Sequence, residues 1–486
     1  MRVDFSADVS DGGPPVMTVT ATGPVPATVE LVGPRAVTRG EVTGGDGSWT
    51  ARLALHVARW GGALLPLPSG TYDLVVDGAP VRGDGSVGEA PATLHAPTLR
   101  ASWDGARLLI GPPVDPALDS DEGRRALEQR YAAHRGALEN AVFFESFYGR
   151  SASDNPRAID RELARVAPGV TRYWSVVDLS VAVPEGAIAV VDGSPEWWRA
   201  RGAARLLVVN DWLRRRFVRK PGQVVLQTWH GTPLKRLALH RPGFDPRRAL
   251  AVFRESRRWD ILLAQNPYSA RVLRAAYGFR RKPVWVEGYP RTDDLHTGDR
   301  DAARAALGIG PAEKVLLYAP TWRDDRQTIV DFLDLPALAE ATGAVVLVRG
   351  HSRTLAPGAD ERGARVIDVT SYPDLTDLLL ASDALITDYS SVMFDYSVTG
   401  RPMYFFAPDL EHYRGALRGF YFDLADAAPG PIVRTQNELV RAVAAGDAGD
   451  PERYARWRAR FNSRDDGRAA ERVVARILDQ GLVSRD

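Results

Sequence analysis

Two adjacent serines, Ser390 and Ser391, stand where an apolar run gives way to an amphipathic segment that closes at Gly400. The pattern predicts a buried strand followed by a helix, with the serines at the helix start and the glycine at its end. One serine would suffice as a cap, yet Asp388 also joins this cluster. Because N–H groups at a helix start and small hydroxyls bind phosphate, we predict that the serines hold a nucleotide diphosphate. Asp395 lies one turn beyond Ser391 on the same face and is predicted to accept hydrogen bonds from ribose hydroxyls.

A histidine occupies a second strand-to-helix turn. His230 directly follows the apolar run "VVLQTW" and precedes Gly231, which permits a sharp turn, and Thr232. Imidazole is the side chain best suited to proton transfer at neutral pH. A lone histidine is more often structural than catalytic, but its place in a turn beside glycine favours function. We therefore predict that His230 is catalytic and that Gly231 and Thr232 contact the substrate.

Polar side chains also follow the apolar run "KVLLYA". Pro320, Thr321 and Arg323 leave the end of this predicted strand. A hydroxyl and a guanidinium at one strand end could hold a phosphate or stack on a base. The alternative is an ordinary turn with an exposed arginine. We include all three residues among the candidate substrate contacts.

A fourth cluster follows the apolar run "AVVLV". Arg349, His351 and Ser352 crowd the exit of this strand, and Arg353 comes next. Two arginines that flank a histidine predict an anion site, with a solvated basic turn as the alternative. Arg349 and Ser352 are candidate substrate contacts, and His351 is a second candidate for catalysis.

Composition narrows the class of protein. The chain has 62 Lys and Arg against 61 Asp and Glu, so its net charge of +1 gives no reason to expect a nucleic-acid partner. It contains no cysteine, which excludes disulfides and thiolate metal sites. It has no GxxxxGK[ST] loop and no GxGxxG turn, which argues against P-loop NTPases and common dehydrogenases. Since arginine, histidine and a helix start can neutralise phosphate, we predict no cofactor or metal, although a loosely held Mg²⁺ stays open.

The four clusters must be positioned by strands. Apolar runs that alternate with helical segments predict parallel sheets covered on both faces. They form two series joined near residues 291–312, which predicts two doubly wound domains with a ligand cleft between them. The predicted strands are 141–146, 172–177, 187–191, 205–209, 224–229, 261–265 and 284–288, and then 314–320, 344–350, 365–369, 384–388 and 402–406.

Residues 1–112 differ from the rest of the chain. Their short runs of β-branched or alternating residues, separated by Gly, Pro and Asp, predict a small antiparallel β-sandwich with an accessory role. A carbohydrate-binding role is the alternative. We place the first α/β domain at 113–297 and the second at 298–486, with the last helix long enough to cross back over the cleft.

The chain from about residue 139 to 480 resembles the CDP-glycerol glycerophosphotransferases, which make teichoic acids and related capsule polymers. The stretches that carry the resemblance are "FESFYGRSASDNPRAI", "QTWHGTPLKRL", "NPYSARVLRAAYGF", "GYPRTDDL", "YAPTWRDD", "RGHS", "DLLLASDALITDYSSVMFDYSVTGRPMYFF" and "RGFYFDL". They occur in the order of the family. The β-sandwich region lies outside the resemblance.

The resemblance implies a GT-B-like pair of domains, with the nucleotide held mainly by the second domain and the acceptor approaching from the first. It also implies transfer of glycerol phosphate from CDP-glycerol to a hydroxyl of a lipid-linked or polymeric acceptor, with release of CMP. The two essential histidines of the family match His230 and His351, and its phosphate-contacting serines match Ser390 and Ser391. His230 is then the candidate general base. The alternatives are a CDP-ribitol-dependent transferase, a sugar-nucleotide glycosyltransferase of the same fold, and a non-catalytic polymer-binding relative.

Two basic segments, 214–220 and 241–259, interleave arginine and lysine with Phe217, Leu250, Phe253 and Trp259. Such segments suit an anionic membrane surface, and solvated arginines on helices are the alternative. The first residues lack the apolar core of a signal peptide. We therefore expect a cytoplasmic protein that is peripheral on the inner face of the membrane.

Overall fold

The computed structural model describes residues 2–6, 13–81, 93–104, 107–321, 333–350, 362–363, 365–410 and 419–485. Its first part is all β, as predicted. The strands are β1 (Arg2–Ser6), β2 (Val16–Thr22), β3 (Val29–Val32), β4 (Val37–Arg39), β5 (Glu41–Gly45), β6 (Ser48–Ala54), β7 (His56–Ala58), β8 (Leu64–Pro66), β9 (Gly70–Val76), β10 (Ala79–Pro80), β11 (Leu94–His95), β12 (Arg100–Trp103) and β13 (Arg107–Gly111).

These strands form two antiparallel sheets and a separate hairpin. One sheet has the order β1-β2-β6-β5, the other has β11-β12-β13-β9-β3-β4 with β10 beside β9, and β7 pairs with β8. Alternate residues of β6 (Trp49, Ala51 and Leu53) are buried, because successive side chains of a strand point to opposite faces. They join one apolar core with residues of the second sheet such as Leu31 and Leu74. We call this sandwich the β domain.

The first α/β domain follows the helices α1 (Pro116–Asp119) and α2 (Asp121–Ala133). Its seven strands are all parallel, in the order β16-β15-β14-β17-β18-β19-β20. The elements are β14 (Glu139–Glu145), α3 (Asp154–Val166), β15 (Thr171–Val176), β16 (Ile188–Val191), α4 (Pro195–Ala203), β17 (Ala204–Val209), β18 (Val224–Gln227), α5 (Pro246–Ser256), β19 (Ile261–Ala264), α6 (Pro267–Ala276) and β20 (Val284–Val286), with 3-10 turns at Phe147–Gly149, Ala238–His240 and Pro290–Thr292.

The second α/β domain repeats this design with the strand order β23-β24-β22-β21-β25-β26-β27, in which β23 alone is antiparallel to its neighbour. The elements are α7 (Asp294–Thr297), α8 (Arg300–Ala306), β21 (Val315–Tyr318), α9 (Leu335–Thr342), β22 (Val345–Val348), β23 (Arg362–Gly363), β24 (Val366–Asp368), α10 (Leu375–Ala381), β25 (Ala384–Thr387), α11 (Val392–Tyr396), β26 (Met403–Phe406), α12 (Leu424–Ala427), β27 (Ile432–Val433), α13 (Gln436–Ala445), α14 (Pro451–Phe461) and α15 (Ala469–Asp479), with a 3-10 turn at Ser397–Thr399.

Both α/β sheets are covered by helices on their two faces. Phe143 of β14 packs into one core layer and its neighbour Phe144 into the layer on the opposite face. In β21, Leu316 and Leu317 are divided in the same way. Strands buried on both faces read as continuous apolar runs. The predicted α/β fold with two parallel sheets is confirmed, and each of the predicted strands is present.

Two short strands, β23 and β27, were not predicted. Each is only two residues long, which is too short for apolar periodicity to show in the sequence. The residue bounds given above for the three domains stay predictions.

The final helix α15 packs against α3 of the first α/β domain. Val473, Val474 and Ile477 of this helix lie in the same core layer as Leu163 and Trp285. The carboxylate of Asp293 accepts hydrogen bonds from the backbone N–H groups of Ala469 and Ala470 at the helix start. Helix α15 therefore helps to complete the core of the first α/β domain, whose strands come much earlier in the sequence.

Candidate active site

His230 lies in the turn after β18, with one ring nitrogen fixed by the backbone. Its Nδ1 is 2.7 Å from the carbonyl oxygen of Asn210. Because a carbonyl oxygen only accepts, Nδ1 carries the proton and Nε2 of the neutral ring carries the basic lone pair. The indole of Trp229 stacks on the imidazole, with ring centroids 4.6 Å apart. The ring is thus held in one orientation and one tautomer, as a general base requires.

The backbone around His230 is held in an unusual conformation. Trp229 has a φ of 55°, in the left-handed region that non-glycine residues seldom adopt. The N–H of Trp229 donates to Oε1 of Gln227, and Nε2 of Gln227 donates to the carbonyl of Asp211. Such conformations persist where surrounding bonds impose them, and they cluster at functional sites.

The two α/β domains touch at the residue after this histidine. A Cβ atom on Gly231 would lie 2.7 Å from Oγ of Ser391 and 3.0 Å from its Cβ. Glycine is therefore required by close approach, and not by a left-handed conformation, since its φ is not positive. The contact brings the His230 turn and the serine pair together, although they are far apart in sequence.

The serine pair precedes α11, a helix of only five residues that a 3-10 turn extends to Gly400. Gly400 ends it in the left-handed conformation with a φ of 72°, as the sequence predicts. The Ser391 side chain makes no capping hydrogen bond within the described residues. Oγ of Ser390 is a long 3.5 Å from the N–H of Val392. Capping therefore does not account for two half-exposed hydroxyls at this point.

Arg291 links both sides of the contact, a role that its place in the sequence did not predict. Its guanidinium donates to Asp154 Oδ2 at 2.8 Å, to Asp395 Oδ2 at 2.7 Å and to the carbonyl of His230 at 3.1 Å. Burial works against its charge, but the two carboxylates outweigh burial and raise the pKa of Arg291 above its ordinary value. A buried Asp–Arg–Asp bridge therefore joins α3, the His230 turn and α11. We call these three residues the Arg291 bridge.

The structure corrects three of the predicted substrate contacts. Asp395 is buried and ion-paired with Arg291, so it does not present a free carboxylate to a ribose. Thr232 is buried, and its hydroxyl is bonded to Gln265, Ser269 and Asn266. Asp388 is buried and accepts hydrogen bonds from the N–H groups of Thr321 and Tyr389, which tie the ends of β21 and β25 together. All three side chains stabilise the walls of the site.

The other predicted residues divide between the cleft and its surroundings. Arg349 lines the cleft, and its Nη1 donates to the carbonyls of Tyr372 at 3.0 Å and Val369 at 3.4 Å, while burial lowers its pKa. Pro320 and Thr321 follow β21, where Oγ1 of Thr321 lies 3.3 Å from Nζ of Lys235. Three predicted residues lie outside the part of the chain that the structure describes: Arg323, His351 and Ser352.

One cavity of about 1570 Å³ collects these groups. His230, Ser390, Ser391 and Arg349 lie on its walls, together with residues of the β domain. Typical small-molecule pockets measure about 300–1,000 Å³, so this cavity has room for a donor and part of a second substrate. Across the described ranges, no group of three or more His, Asp or Glu side chains is arranged to hold a metal ion. No helix within them has the length and apolar character needed to cross a bilayer.

The chain is similar to several known proteins. Residues 129–479 match the family described as CDP-Glycerol:Poly(glycerophosphate) glycerophosphotransferase. The chain is 37% identical to a teichoic acid glycerol-phosphate transferase of Staphylococcus aureus (strain NCTC 8325 / PS 47) over 70% of its own length and 93% of that protein. It is 38% identical to a teichoic acid poly(glycerol phosphate) polymerase of Bacillus subtilis (strain 168) over 71% of its length, and it spans only about half of that larger protein.

A solved structure is also similar. It is a histidine-to-asparagine variant of the wall teichoic acid polymerase TagF soaked with CDPG, with a TM-score of 0.68 and 33% identity. The match covers 76% of this chain and 95% of that one. At this identity and TM-score, the likeness supports the fold.

Proposed function

Since this chain belongs to the CDP-glycerol:poly(glycerophosphate) glycerophosphotransferase family, we propose that it transfers glycerol phosphate from CDP-glycerol to a hydroxyl group of a lipid-linked or polymeric acceptor and releases CMP. One observation carries the proposal. His230, with its imidazole oriented by the Asn210 carbonyl, lines the same cavity as Ser390 and Ser391, and the turn of His230 meets Ser391 at Gly231.

In the proposed reaction, Nε2 of His230 takes the proton of the acceptor hydroxyl while its oxygen attacks the β-phosphorus of CDP-glycerol. A new P–O bond forms, the bond between that phosphorus and the bridging oxygen breaks, and CMP leaves with the electron pair. A positioned base of this kind contributes roughly 10²–10⁴ in rate. The reaction is balanced without an oxidant, a reductant or a further reactant.

The diphosphate of CDP-glycerol needs positive groups and hydrogen-bond donors on the wall of the cavity. Ser390 and Ser391 supply hydroxyls, and Arg349 supplies a guanidinium whose direction two backbone carbonyls fix. Donors fixed before reaction stabilise developing charge without reorganisation, and this is usually the largest electrostatic contribution to catalysis. Because α11 has only five residues, we assign the phosphate grip chiefly to these side chains and adjacent N–H groups. His351 and Ser352 stay predicted members of this wall.

The test is incubation of the full chain with CDP-glycerol or CDP-ribitol and a lipid-linked acceptor analogue, with nucleotide and product masses followed over time. We expect one CMP per glycerol phosphate added, and little or no reaction with CDP-ribitol. Faster reaction with CDP-ribitol would show that CDP-ribitol, and not CDP-glycerol, is the donor. A nucleoside diphosphate product from a sugar donor would indicate a glycosyltransferase. Absence of CMP with both donors would favour a non-catalytic relative.

We also propose that a face of the first α/β domain docks on an anionic membrane. Phe244 is 91% exposed, Leu250 61% and Phe253 43%. The arginines of α5 and its flanks surround these apolar side chains, and Arg247, Arg254 and Arg257 are exposed. An amphipathic helix with apolar and basic residues on its outer face suits the interface of an anionic bilayer.

Several residues of the two predicted basic segments do not belong to this face. Trp259 is fully buried in the core and Lys220 is buried beneath α2, where it donates to the carbonyls of Tyr131 and His134. Phe217 packs against the same core. Arg215 and Arg219 form ion pairs with Asp192 and Asp260. The segment 214–220 is therefore mostly structural, and the membrane face is restricted to residues 241–257.

The double variant Phe244→Asp with Leu250→Asp is expected to lose sedimentation with anionic vesicles by about tenfold or more, since burying one such side chain is worth about 1.5–3 kcal/mol. Val25→Asp is the matched control, because Val25 is 47% exposed on the β domain. Added salt should weaken binding of the wild type through screening. If the wild type, the double variant and Val25→Asp sediment equally, residues 241–257 do not bind the membrane.

A further inference from the structure

The hairpin β7–β8 reaches from the β domain to both α/β domains. At its tip, residues 59–63, the ring of Trp60 meets Tyr372 of the second α/β domain edge-on, with centroids 5.3 Å apart. The adjacent Arg59 donates from Nη2 to the carbonyl of Ser180 in the first α/β domain at 3.0 Å. We call residues 59–63 the hairpin tip. It contacts both domains and lines the cavity between them.

A second contact fixes the β domain at the same end. Arg35 donates from Nη2 to the carbonyl of Ser69 and to Oδ2 of Asp178, both at 3.2 Å, and the N–H of Ser69 donates to the same carboxylate oxygen at 2.8 Å. Burial of Asp178 works against its charge, but these bonds and those from Ser180 outweigh it and lower the pKa of Asp178. The β domain is therefore docked by directed polar bonds.

The docked β domain forms a wall of the cavity that contains His230. Arg35, Arg39 and Trp60 line the same 1570 Å³ space as His230 and Ser391. Nine arginines and seven carboxylates line the described part of this space. The Arg35 side chain is 34% exposed, and among the described residues its Nε and Nη1 make no hydrogen bond. The guanidinium of Arg35, with free donors, and the indole of Trp60 thus line the cavity.

We propose that the β domain completes the acceptor site, with Arg35 and Trp60 holding a phosphodiester-bearing chain whose end reaches His230. The inference rests on the proposed function for the identity of the acceptor. A guanidinium binds phosphate oxygens through paired donors. The indole face covers the C–H groups of the polyol units between successive phosphates. The family match begins at residue 129, so this wall is an addition outside the shared transferase fold.

The test measures binding of a defined poly(glycerol phosphate) oligomer to the full chain, by titration without donor. Arg35→Gln and Trp60→Ala are expected to weaken the Kd by about tenfold each. Two control variants should bind as the wild type does. Arg52→Gln changes an exposed arginine of β6, and Leu64→Ala changes a 57% exposed residue of the same hairpin, and neither residue lines the cavity.

Kinetics and thermal unfolding complete the test. The two variants should raise the acceptor KM and leave the KM for CDP-glycerol unchanged, and the melting temperature measures how much docking of the β domain each variant loses. Trp60→Ala removes no ion pair. If Arg35→Gln lowers the melting temperature, the oligomer Kd and the acceptor KM of Trp60→Ala are therefore the test of the inference. Unchanged oligomer affinity, or equal binding of an uncharged polyglycerol, would overturn the inference. Failure of the proposed function has a different signature, because CMP release would be absent while oligomer binding and its loss in the variants remain.

Discussion

Replacing His230 with alanine is expected to lower kcat by roughly 10²–10⁴-fold, the usual contribution of a positioned general base, and to leave the Kd for CDP-glycerol nearly unchanged. The imidazole is oriented by the Asn210 carbonyl on one side and by the Trp229 ring on another. Its loss removes the proton acceptor but leaves the wall formed by Ser390 and Ser391 in place. CMP release and calorimetric titration of CDP-glycerol measure the two quantities separately.

His134→Ala is the matched control, because His134 is exposed at the end of α2. We expect wild-type rates from this variant. The base assignment fails if His230→Ala keeps its rate within a few-fold of wild type. If donor affinity falls in parallel with the rate, His230 binds the diphosphate and another group must accept the proton.

Replacing Arg291 with methionine is expected to lower the free energy of unfolding by about 3–5 kcal/mol, since it leaves two buried carboxylates without their partner. CMP release should fall by more than the decrease in the folded fraction accounts for, because the Arg291 bridge also holds the His230 turn against α11. Denaturant unfolding and CMP release at a temperature where the variant is folded measure the two effects.

A triple variant separates charge from alignment. Asp154→Asn and Asp395→Asn, combined with Arg291→Met, remove all three charges, and asparagine tolerates the left-handed conformation of Asp154 at a φ of 66°. Replacing a whole buried ion set is often close to neutral, so most of the stability should return while activity stays low. Arg468→Ala, which breaks an exposed pair with Glu471, should change neither quantity. Full recovery of activity in the triple variant would show that the bridge has no positioning role.

The sequence carried enough information to predict that His230 and Ser391 lie at the cleft between the two sheets. Both residues follow the carboxyl end of a parallel strand, β18 and β25, and such ends meet the cleft of a doubly wound pair. The strands themselves were visible because burial on both faces makes them continuous apolar runs. Position along a strand therefore predicted which residues reach the cleft, whereas the close approach of Gly231 to Ser391 was not predicted.

What the sequence could not show was the direction of each side chain. Asp395 does lie one turn beyond Ser391, but all five residues of α11 are buried, so its carboxylate points to Arg291. Thr232 and Asp388 are buried as well, because their side-chain oxygens form hydrogen bonds with neighbouring segments. Arg291 was missed because it follows β20 in a segment that reads as a connection. Its only signal was its place in the quoted stretch "GYPRTDDL", and its partners come from distant parts of the chain.

The helix α15 has a consequence for how the chain is made. Its apolar residues fill part of a layer over the first parallel sheet, and Ser484 exchanges two hydrogen bonds with Asn140, the second residue of β14. On a ribosome, the strands of that sheet emerge first, and this core layer stays incomplete until α15 is made, after the strands of the second sheet. The nascent chain thus exposes an apolar surface throughout the synthesis of the second α/β domain. During this period the exposed surface is a binding site for a chaperone.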